Sequence, residues 1–431
     1  MRAFSGRAAG LWRALRPRPP GSHPDRENPR VTENQGRTPK PGPANRWRRV
    51  HTTVEHLYGP EEVSYRVDEL IVLCLVRDGR SYLRSFVEHY SSMGVKRLVF
   101  LDNGSTDGTV ETLRNYDNVT VLRTELPFKG NQGLMRWYLR QRFGQGRWSL
   151  LADIDELFDY PYSDVISLRS LLGYLNSKSY TAVVAQMLDM FPEKPLSDQA
   201  RKLDEPLKEL HRFYDISNFW RTRITEDPRC PPDNTYENKE IAVFSGGVRS
   251  TIFSNRTLLT KHPLVFLDGK VRPAGPHWCG SARVADFTGV LFHYKFLGGL
   301  LHEQSKQAEI RTGGGSARYK KYLEVLEKTP SLFIKNETSR ELKSVNDLVG
   351  TQFVSVSRQY MYFVESEAQR KGHYSQENQL ERLLDAFSNA KTEVTILAEQ
   401  LQATRRQNRI LRRILPWNII FGSVSALRKK V

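Results

Sequence analysis

The stretch KRLVFLDNGSTDGT, residues 96–109, joins an apolar, strand-like run to a polar turn. A second join of this kind follows where WSLLA (148–152) leads into DIDELF (153–158). Because the carboxyl ends of the strands in an open α/β sheet form its ligand-binding edge, we expect the two acidic turns to lie close together. In the Asp-x-Asp of the second turn, both carboxylates can face one hard cation, which can in turn hold a diphosphate. The two joins therefore predict a site for a divalent metal and a nucleoside diphosphate.

The runs around these joins predict the fold class. ELIVLCLV (69–76) is a continuous apolar run, as expected of a strand that is buried on both faces. A helical pattern that stops at Gly94 separates it from KRLVFL, and NVTVLRT (118–124) is typical of a third strand. This β-α-β-α-β order with short connections favours an α/β fold with a doubly wound parallel sheet. Later segments predict a helix over 133–143, strands within 180–191, 239–253, 259–267 and 289–297, an irregular active-site loop region at 192–240, and a helix from Gly299.

The formal charge of +17 is concentrated in the two tails. Residues 1–50 carry twelve Lys and Arg against three acids, or +9, and residues 401–431 carry eight with no acid, or +8. The 350 residues between them are therefore formally neutral, which argues against a nucleic-acid partner. The basic tails favour contact with an anionic membrane surface. Three widely spaced cysteines argue against a disulfide framework, so we expect a cytoplasmic protein that is peripheral on the membrane.

Composition and spacing also predict what flanks the body. Residues 1–60, rich in Arg, Pro and Gly, are expected to be disordered, with order beginning at Glu69; their Arg-rich, acid-poor start also resembles a transit peptide.

Apolar residues from Leu380 onward form an a/d seam over about five heptads, which predicts a coiled coil and a homodimer, with a helix packed on the body as the alternative. ILPWNIIFGSVSAL (414–427) is too short to span a membrane but suits an interfacial anchor. The expected units are a basic tail (1–60), an α/β domain (69–330), a helical connector (331–378), a coiled coil (379–415) and an interfacial tail (416–431).

The order of several motifs resembles a known family. LVRDGRSYLRSFVEHYSSMGVKRLVFLDNGSTDGT (75–109), followed by DIDELF, is similar to GT-A-fold glycosyltransferases of the family 2 type and their relatives in family 92. The resemblance covers roughly residues 69–325 and rests on motif order, because Asp-x-Asp alone is a weak signal. It implies a GT-A fold, a donor sugar linked to UDP or GDP, a glycan or lipid-linked acceptor, and Mn²⁺ or Mg²⁺ as the metal.

The resemblance implies donor contacts at the strand ends. Asp102 would read the uracil or ribose of the nucleotide, with an Asx-turn as the structural alternative. Asp78 would also contact the donor, although the chain has Arg77-Asp78 where the relatives usually have Asn-Glu. A glycine turn before Gln132, with Arg136 one helical turn later, suits a diphosphate at a helix N-terminus. An ordinary capped surface helix is the alternative for this last pair.

The metal and the base complete the expected site. Asp153 and Asp155 are the expected metal ligands, Asp153 also contacts the donor, and His293 matches the late histidine with which the relatives complete the metal or diphosphate shell. Asp189, which ends the strand after DIDELF, is the first candidate for the base that deprotonates the acceptor hydroxyl, and Asp286 is the second. Further expectations are capping by Asp107, either capping or support of the metal ligands by Glu156, phosphate contacts from Lys295 and Lys306, and an acceptor pocket near His262, His277 and Trp278.

These observations predict a metal-dependent glycosyltransferase that uses a nucleotide-sugar donor. One alternative is a metal-dependent nucleotidyltransferase, which would normally have a glycine-rich phosphate loop after the first strand, whereas residues 76–81 contain only Gly79. The other is a non-catalytic scaffold whose basic tails bind membrane or RNA, against which the neutral body and the Asp-x-Asp turn both argue.

Overall fold

The computed structural model describes residues 50–196, 206–275, 277–297, 314–329 and 331–371. Its strands are β1 (Val54–Tyr58), β2 (Leu70–Val76), β3 (Arg97–Asp102), β4 (Val119–Thr124), β5 (Trp148–Leu151), β6 (Glu156–Asp159), β7 (Ala182–Asp189), β8 (Phe213–Tyr214), β9 (Phe219–Arg223), β10 (Thr235–Tyr236), β11 (Ala242–Gly246), β12 (Thr260–Phe266), β13 (Arg272–Pro273), β14 (Cys279–Gly280), β15 (Arg283–His293) and β16 (Arg340–Glu341). Its helices are α1 (Leu83–Ser92), α2 (Thr109–Leu113), α3 (Gln132–Phe143), α4 (Leu168–Ser177), α5 (Leu207–Leu210), α6 (Val248–Phe253), α7 (Gly314–Lys328), α8 (Asp347–Gly350) and α9 (Arg358–Arg370).

A large mixed sheet forms the centre of the fold. Its strands follow the order β1-β4-β3-β2-β5-β12-β7-β15-β10, and β6 pairs with β15. Strands β2 to β5 are parallel to one another, and β7 is parallel to β15. Because β12 is antiparallel to both β5 and β7, those two strands point the same way. The carboxyl ends of β2, β3, β5, β7 and β15 therefore lie at one edge of the sheet.

Strand β2 is buried along its whole length because helices cover both faces of the sheet. Leu70, Val72, Cys74 and Val76 belong to a core that includes Phe86 and Tyr90 of α1. Ile71, Leu73 and Leu75 belong to a second core that includes Met135, Tyr138 and Leu139 of α3. Alternate side chains of one strand thus enter two cores, which explains why ELIVLCLV shows no polar alternation. This arrangement confirms the α/β expectation and agrees with a doubly wound sheet.

The order in which the chain adds strands to the sheet reverses beside β2. The first strands progress outward in the order β2, β3 and β4, and β5 then returns to the other side of β2. In open α/β sheets, such a switch point leaves a crevice at the carboxyl ends of the two strands between which the reversal falls. The loop after β2 and the DIDELF turn after β5 flank this crevice.

The expectation that order begins at Glu69 is wrong. Strand β1 pairs antiparallel with β4, from Val54 opposite Thr124 onward, and Val50 is fully buried. VEHLY is short and carries two polar residues, so it does not stand out from the polar tail in the sequence. The fold therefore starts at least nineteen residues before Glu69, and residues 1–49 lie outside the described part of the chain.

Other expectations are adjusted in detail. The segment 239–253 is not one strand, because Gly246 and Gly247, with φ of 106° and 69°, separate β11 from helix α6. The region 192–240 contains short elements, α5 and β8 to β10, with residues 197–205 undescribed. The helix expected from Gly299 begins, in the described residues, at Gly314.

The segment after the α/β body packs onto it. Leu348, Phe353 and Tyr360 belong to the core that β2 shares with α1. The Tyr360 hydroxyl donates to the Pro161 carbonyl at 2.8 Å. Residues 331–371 are thus part of the folded body. The predicted coiled coil (379–415) and interfacial tail (416–431) lie outside the described residues. Within the described ranges, no helix combines the length and the apolar character needed to cross a bilayer.

Candidate functional site

Six charged or titratable residues meet at the carboxyl edge of the sheet. Asp153, Asp155 and Glu156 follow β5, Asp189 ends β7, His293 ends β15, and Lys261 lies at the start of the antiparallel β12. The sheet register places His293 opposite Asp189 on one side and opposite Glu156 on the other. The sheet itself therefore brings together residues that are up to 140 positions apart in the sequence.

The DIDELF segment begins with a tight turn that is held by two backbone hydrogen bonds and packs closely against the loop after β2. The Glu156 amide donates to the Asp153 carbonyl at 2.9 Å, and the Tyr294 amide donates to the Asp155 carbonyl at 2.9 Å. Gly79, in the loop after β2, lies so close that a Cβ there would be 3.0 Å from Ile154 and 2.6 Å from Val76. A side chain at position 79 would therefore push the β2 loop away from the turn.

Asp155, Glu156 and His293 form a group that could hold a metal ion, and we call it the metal trio. One possible ligand atom from each residue lies within 4.8 Å of the corresponding atoms of the other two. Asp155 Oδ2 is 3.3 Å from His293 Nε2, and Asp189 Oδ1 is 2.6 Å from His293 Nδ1. Arg249 Nε donates to the other oxygen of Asp189 at 2.8 Å. The imidazole is thus held between two carboxylates, one of which is itself fixed by a buried guanidinium.

The electrostatics of the trio follow from burial and close charges. Burial alone would lower the pKa of His293, but the Asp155 carboxylate and the hydrogen bonds to Asp155 and Asp189 outweigh it and raise that pKa. Burial would raise the pKa of Asp155, but His293 outweighs it and holds that pKa below its usual value. Burial raises the pKa of Glu156 despite the nearby Lys261. The two carboxylates thus favour the protonated form of His293 more than water does.

Asp153 faces cations rather than the trio. Its carboxylate is paired with Arg136 and lies 3.4 Å from Lys261 Nζ, while Lys261 also contacts Glu156. Burial would raise the pKa of Asp153, but Arg136 and Lys261 outweigh it and lower the pKa to about 2. The structure therefore groups Glu156, not Asp153, with Asp155 and His293. We call Asp153, Asp155 and Glu156 the second-turn carboxylates.

The carboxylates after β2 and β3 are bound to the backbone. Asp102 accepts from the amides of Gly104 and Ser105, each at 3.1 Å, and contacts Arg123. Asp78, which has a φ of 52°, accepts from the Thr106 amide at 2.8 Å. We call Asp78, Asp102 and Asp107 the first-turn carboxylates.

Asp107 completes this network between the two loops. It accepts from the Thr109 amide at 3.1 Å at the start of α2 and from the Arg80 amide at 2.9 Å. The expectation that Asp107 caps the helix is wrong in detail, because the N-cap residue is Gly108 and Asp107, one residue earlier, accepts from the first helical amide. Asp102 makes the Asx-turn that the sequence offered as the alternative to nucleotide recognition.

A small cavity of 70 Å³ lies beside Asp153 and Glu156. We call it the Arg140 cavity; its lining includes Arg136, Arg140, Asp153, Glu156, Lys261, His262, His277 and Trp278. The residues expected near an acceptor pocket are therefore brought together with the diphosphate candidate Arg136. Gln132 lies one turn before Arg136, and its amide oxygen faces the Arg136 guanidinium.

One expected residue, Asp286, is not part of this cluster. Asp286 lies near the start of β15, seven residues before His293, which corresponds to roughly 23 Å along a strand. Its carboxylate contacts the hydroxyls of Tyr174 and Ser357. It is therefore too distant to act as a base at the metal trio. Lys306 lies outside the described residues, whereas Lys295 contributes to the lowered pKa of Asp155.

Sequence reasoning missed three buried cations, Lys261, Arg249 and Arg140. Lys261 is the one charged residue in the strand TKHPLVF, and a charge within an apolar strand is a usable signal. Arg140 lies one helical turn after Arg136 on α3, which places both on one face. Arg249 follows the glycine pair before α6, and nothing in its sequence surroundings indicates that it would meet Asp189.

A scan of the chain against protein-family models gives no match. A search of curated proteins gives no match either.

Proposed function

We propose that this chain is a metal-dependent glycosyltransferase with the GT-A form of the α/β fold. The donor would be a sugar linked to UDP or GDP, and the acceptor a hydroxyl of a glycan or lipid-linked sugar. The observation that carries the proposal is the metal trio, placed at the switch point of the sheet with Arg136 and Lys261 beside it. A site that combines possible ligands for a cation with neighbouring cationic side chains suits a substrate that carries a diphosphate.

The residues of the trio fit a divalent cation. Two carboxylates and an imidazole are ligands of the first-row divalent metals, and an imidazole suits Mn²⁺ better than the oxygen-preferring Mg²⁺. When bound, such an ion would neutralise charge on the leaving diphosphate. Asp155, Glu156 and His293 would hold it, and His293 would bind it through a ring nitrogen that carries no proton.

The neighbouring residues would orient the ligands and the donor. Lys261 now contacts Glu156 and would be able to turn toward donor phosphates if that carboxylate bound a metal. Arg136, which is paired with Asp153, lies beside the same site. Asp189 holds the ring of His293 in place, as a carboxylate commonly does for a metal-binding histidine. Its pairing with Arg249 and His293 favours this positioning role over that of the acceptor base.

The proposal is tested by donor-dependent release of nucleoside diphosphate from the full-length protein. Metal-free protein is mixed with a panel of UDP- and GDP-sugars, and Mn²⁺ or Mg²⁺ is then added. We expect release with at least one donor, only with metal, and faster with Mn²⁺. Nucleoside triphosphates belong in the same panel, because release of pyrophosphate from them would favour a nucleotidyltransferase instead.

Asp164→Asn provides the matched control for variants of the site. Asp164 is an exposed carboxylate a few residues after β6, and its side chain contacts Asn346. The same chemical change at this position should leave metal-dependent release unchanged. If folded wild-type protein binds no nucleotide with any metal, the proposal is rejected.

A further inference from the structure

Arg140 is a buried cation without a carboxylate partner. It is 7% exposed, and no ion pair joins it to any of the described residues. Its Nη2 donates to the carbonyls of Pro263 at 2.8 Å and His262 at 3.3 Å, but its buried Nη1 has no hydrogen-bond partner in the described structure. A guanidinium removed from water without a counter-charge is costly, so such a group usually has an anionic partner.

Other residues that line the Arg140 cavity also carry hydrogen-bond donors that lack acceptors. The Nδ1 atom of His262 accepts the Cys279 amide at 3.3 Å, so the proton of the neutral ring belongs on Nε2. Burial lowers the pKa of His262 to about 3, which keeps the ring neutral. Its Nε2 is buried and, like Arg136 Nε, has no partner in the described ranges. Three donor nitrogens from residues that line one small cavity thus have no acceptor.

The charged residues that line the cavity also indicate an anionic guest. Arg136 is paired with Asp153, and Lys261 with Glu156, which leaves Arg140 as one unbalanced positive charge. A volume of 70 Å³ holds about two waters, or one group the size of a carboxylate or phosphate. Water could accept the three hydrogen bonds, but it would not compensate the charge of Arg140.

We propose that the Arg140 cavity is a binding pocket for a small oxyanion group. Arg140 would be its anchor, and His262 and Arg136 would supply additional donors. The guest is defined by its chemistry, a carboxylate or a phosphate or sulfate ester, because only negatively charged acceptor atoms satisfy both the donors and the charge. That this group belongs to the donor sugar or to the acceptor rests on the proposed function; binding of the oxyanion itself does not.

The test measures oxyanion binding to the full-length protein without metal. EDTA removes metal, so that an anion held by the metal trio cannot contribute. The thermal midpoint is followed against acetate, phosphate and sulfate, with chloride at matched ionic strength as the control. We expect a saturable rise with acetate, or with phosphate and sulfate, and the arm that responds shows which kind of oxyanion the pocket takes.

Arg140→Gln should weaken that binding at least about 10-fold, because it removes a charged hydrogen-bond donor. Arg142→Gln is the matched control: Arg142 is on the same helix, contacts Tyr138 and Glu61, and does not line the cavity. It should bind the oxyanion as the wild type does. In the wild type, the imidazole NMR signal of His262 should shift with the same dissociation constant, which keeps the test decisive if Arg140→Gln does not fold.

The absence of saturable binding by all three oxyanions would overturn the proposal and leave water as the occupant of the cavity. Unchanged binding by Arg140→Gln would overturn it as well. Oxyanion binding in a protein that releases no nucleoside diphosphate would reject only the proposed function.

Discussion

The two groups of carboxylates at the sheet edge are held in different ways. The first-turn carboxylates accept hydrogen bonds from backbone amides of the loop that contains them or of its neighbour. The second-turn carboxylates mainly contact the side chains of Arg136, Lys261 and His293, although Glu156 also accepts from the Asp153 amide at 3.3 Å. A backbone amide cannot withdraw without refolding its loop, whereas a side chain can turn to another rotamer. Most partners of the second group are therefore easier to exchange for a metal or a substrate than the backbone amides that hold the first group.

The largest effect is expected from Asp155→Asn. Replacing one carboxylate of the metal trio should weaken metal binding by at least about 100-fold, the upper end of the loss seen for residues that merely support a ligand. Turnover should nearly vanish, because the leaving diphosphate loses its compensating charge. Titration of Mn²⁺ and initial rates of diphosphate release measure both quantities.

Asp164→Asn should leave metal affinity and rate unchanged. An Asp155→Asn protein that keeps wild-type turnover and metal dependence would remove the second-turn carboxylates from the site. The difference in how the two groups of carboxylates are held would then have no bearing on function.

A smaller effect is expected from Asp189→Asn. If Asp189 positions His293, the variant should lose about 10- to 100-fold in metal affinity, and added metal should restore much of its rate. If Asp189 is instead the acceptor base, metal affinity should stay near wild type while kcat falls by about 10²- to 10⁴-fold at saturating metal. Measuring the rate against metal concentration separates the two roles.

Asp102→Asn should act on stability and not on metal binding. Asp102 is fully buried and accepts two backbone amides and the Arg123 guanidinium. Loss of its charge should lower the free energy of unfolding by about 1–3 kcal/mol. Urea unfolding measures this cost, and Mn²⁺ titration of the folded variant should match wild type. A loss of nucleotide or metal binding without a loss of stability would indicate instead that Asp102 contacts the donor.

The sequence predicted the positions of the acidic turns but not how each carboxylate is held. Continuous apolar runs identified β2, β3 and β7, because strands buried on both faces have no polar side. Motif order brought Asp155 and His293 into one site. Lys261, which contacts Asp153 and Glu156, and Arg249, which contacts Asp189, come from elements with no recognisable motif, and only the tertiary fold brings them near. VEHLY was missed because an edge strand of five residues leaves little periodic signal.

The smallest effect is a pH dependence of the metal-free protein. The pKa of His293 is raised in the folded state, against burial, by Asp155 and Asp189, whereas an unfolded histidine titrates near ~6.5. A group with a raised folded pKa contributes stability that is fully present below its unfolded pKa and is lost as the pH rises through the folded value. The metal-free protein should therefore become less stable as the pH increases above ~6.5. Mn²⁺ affinity should increase over the same range, because binding displaces the proton of His293.

Urea unfolding in EDTA across this range, with His293→Gln as the reference, isolates the contribution of His293. The variant cannot gain a proton at this position, so the difference between the two stabilities should shrink as the pH rises. A difference that stays constant with pH would mean that His293 is neutral in the metal-free protein. In that case the second-turn carboxylates would have lost one of the exchangeable cations that set them apart from the first group.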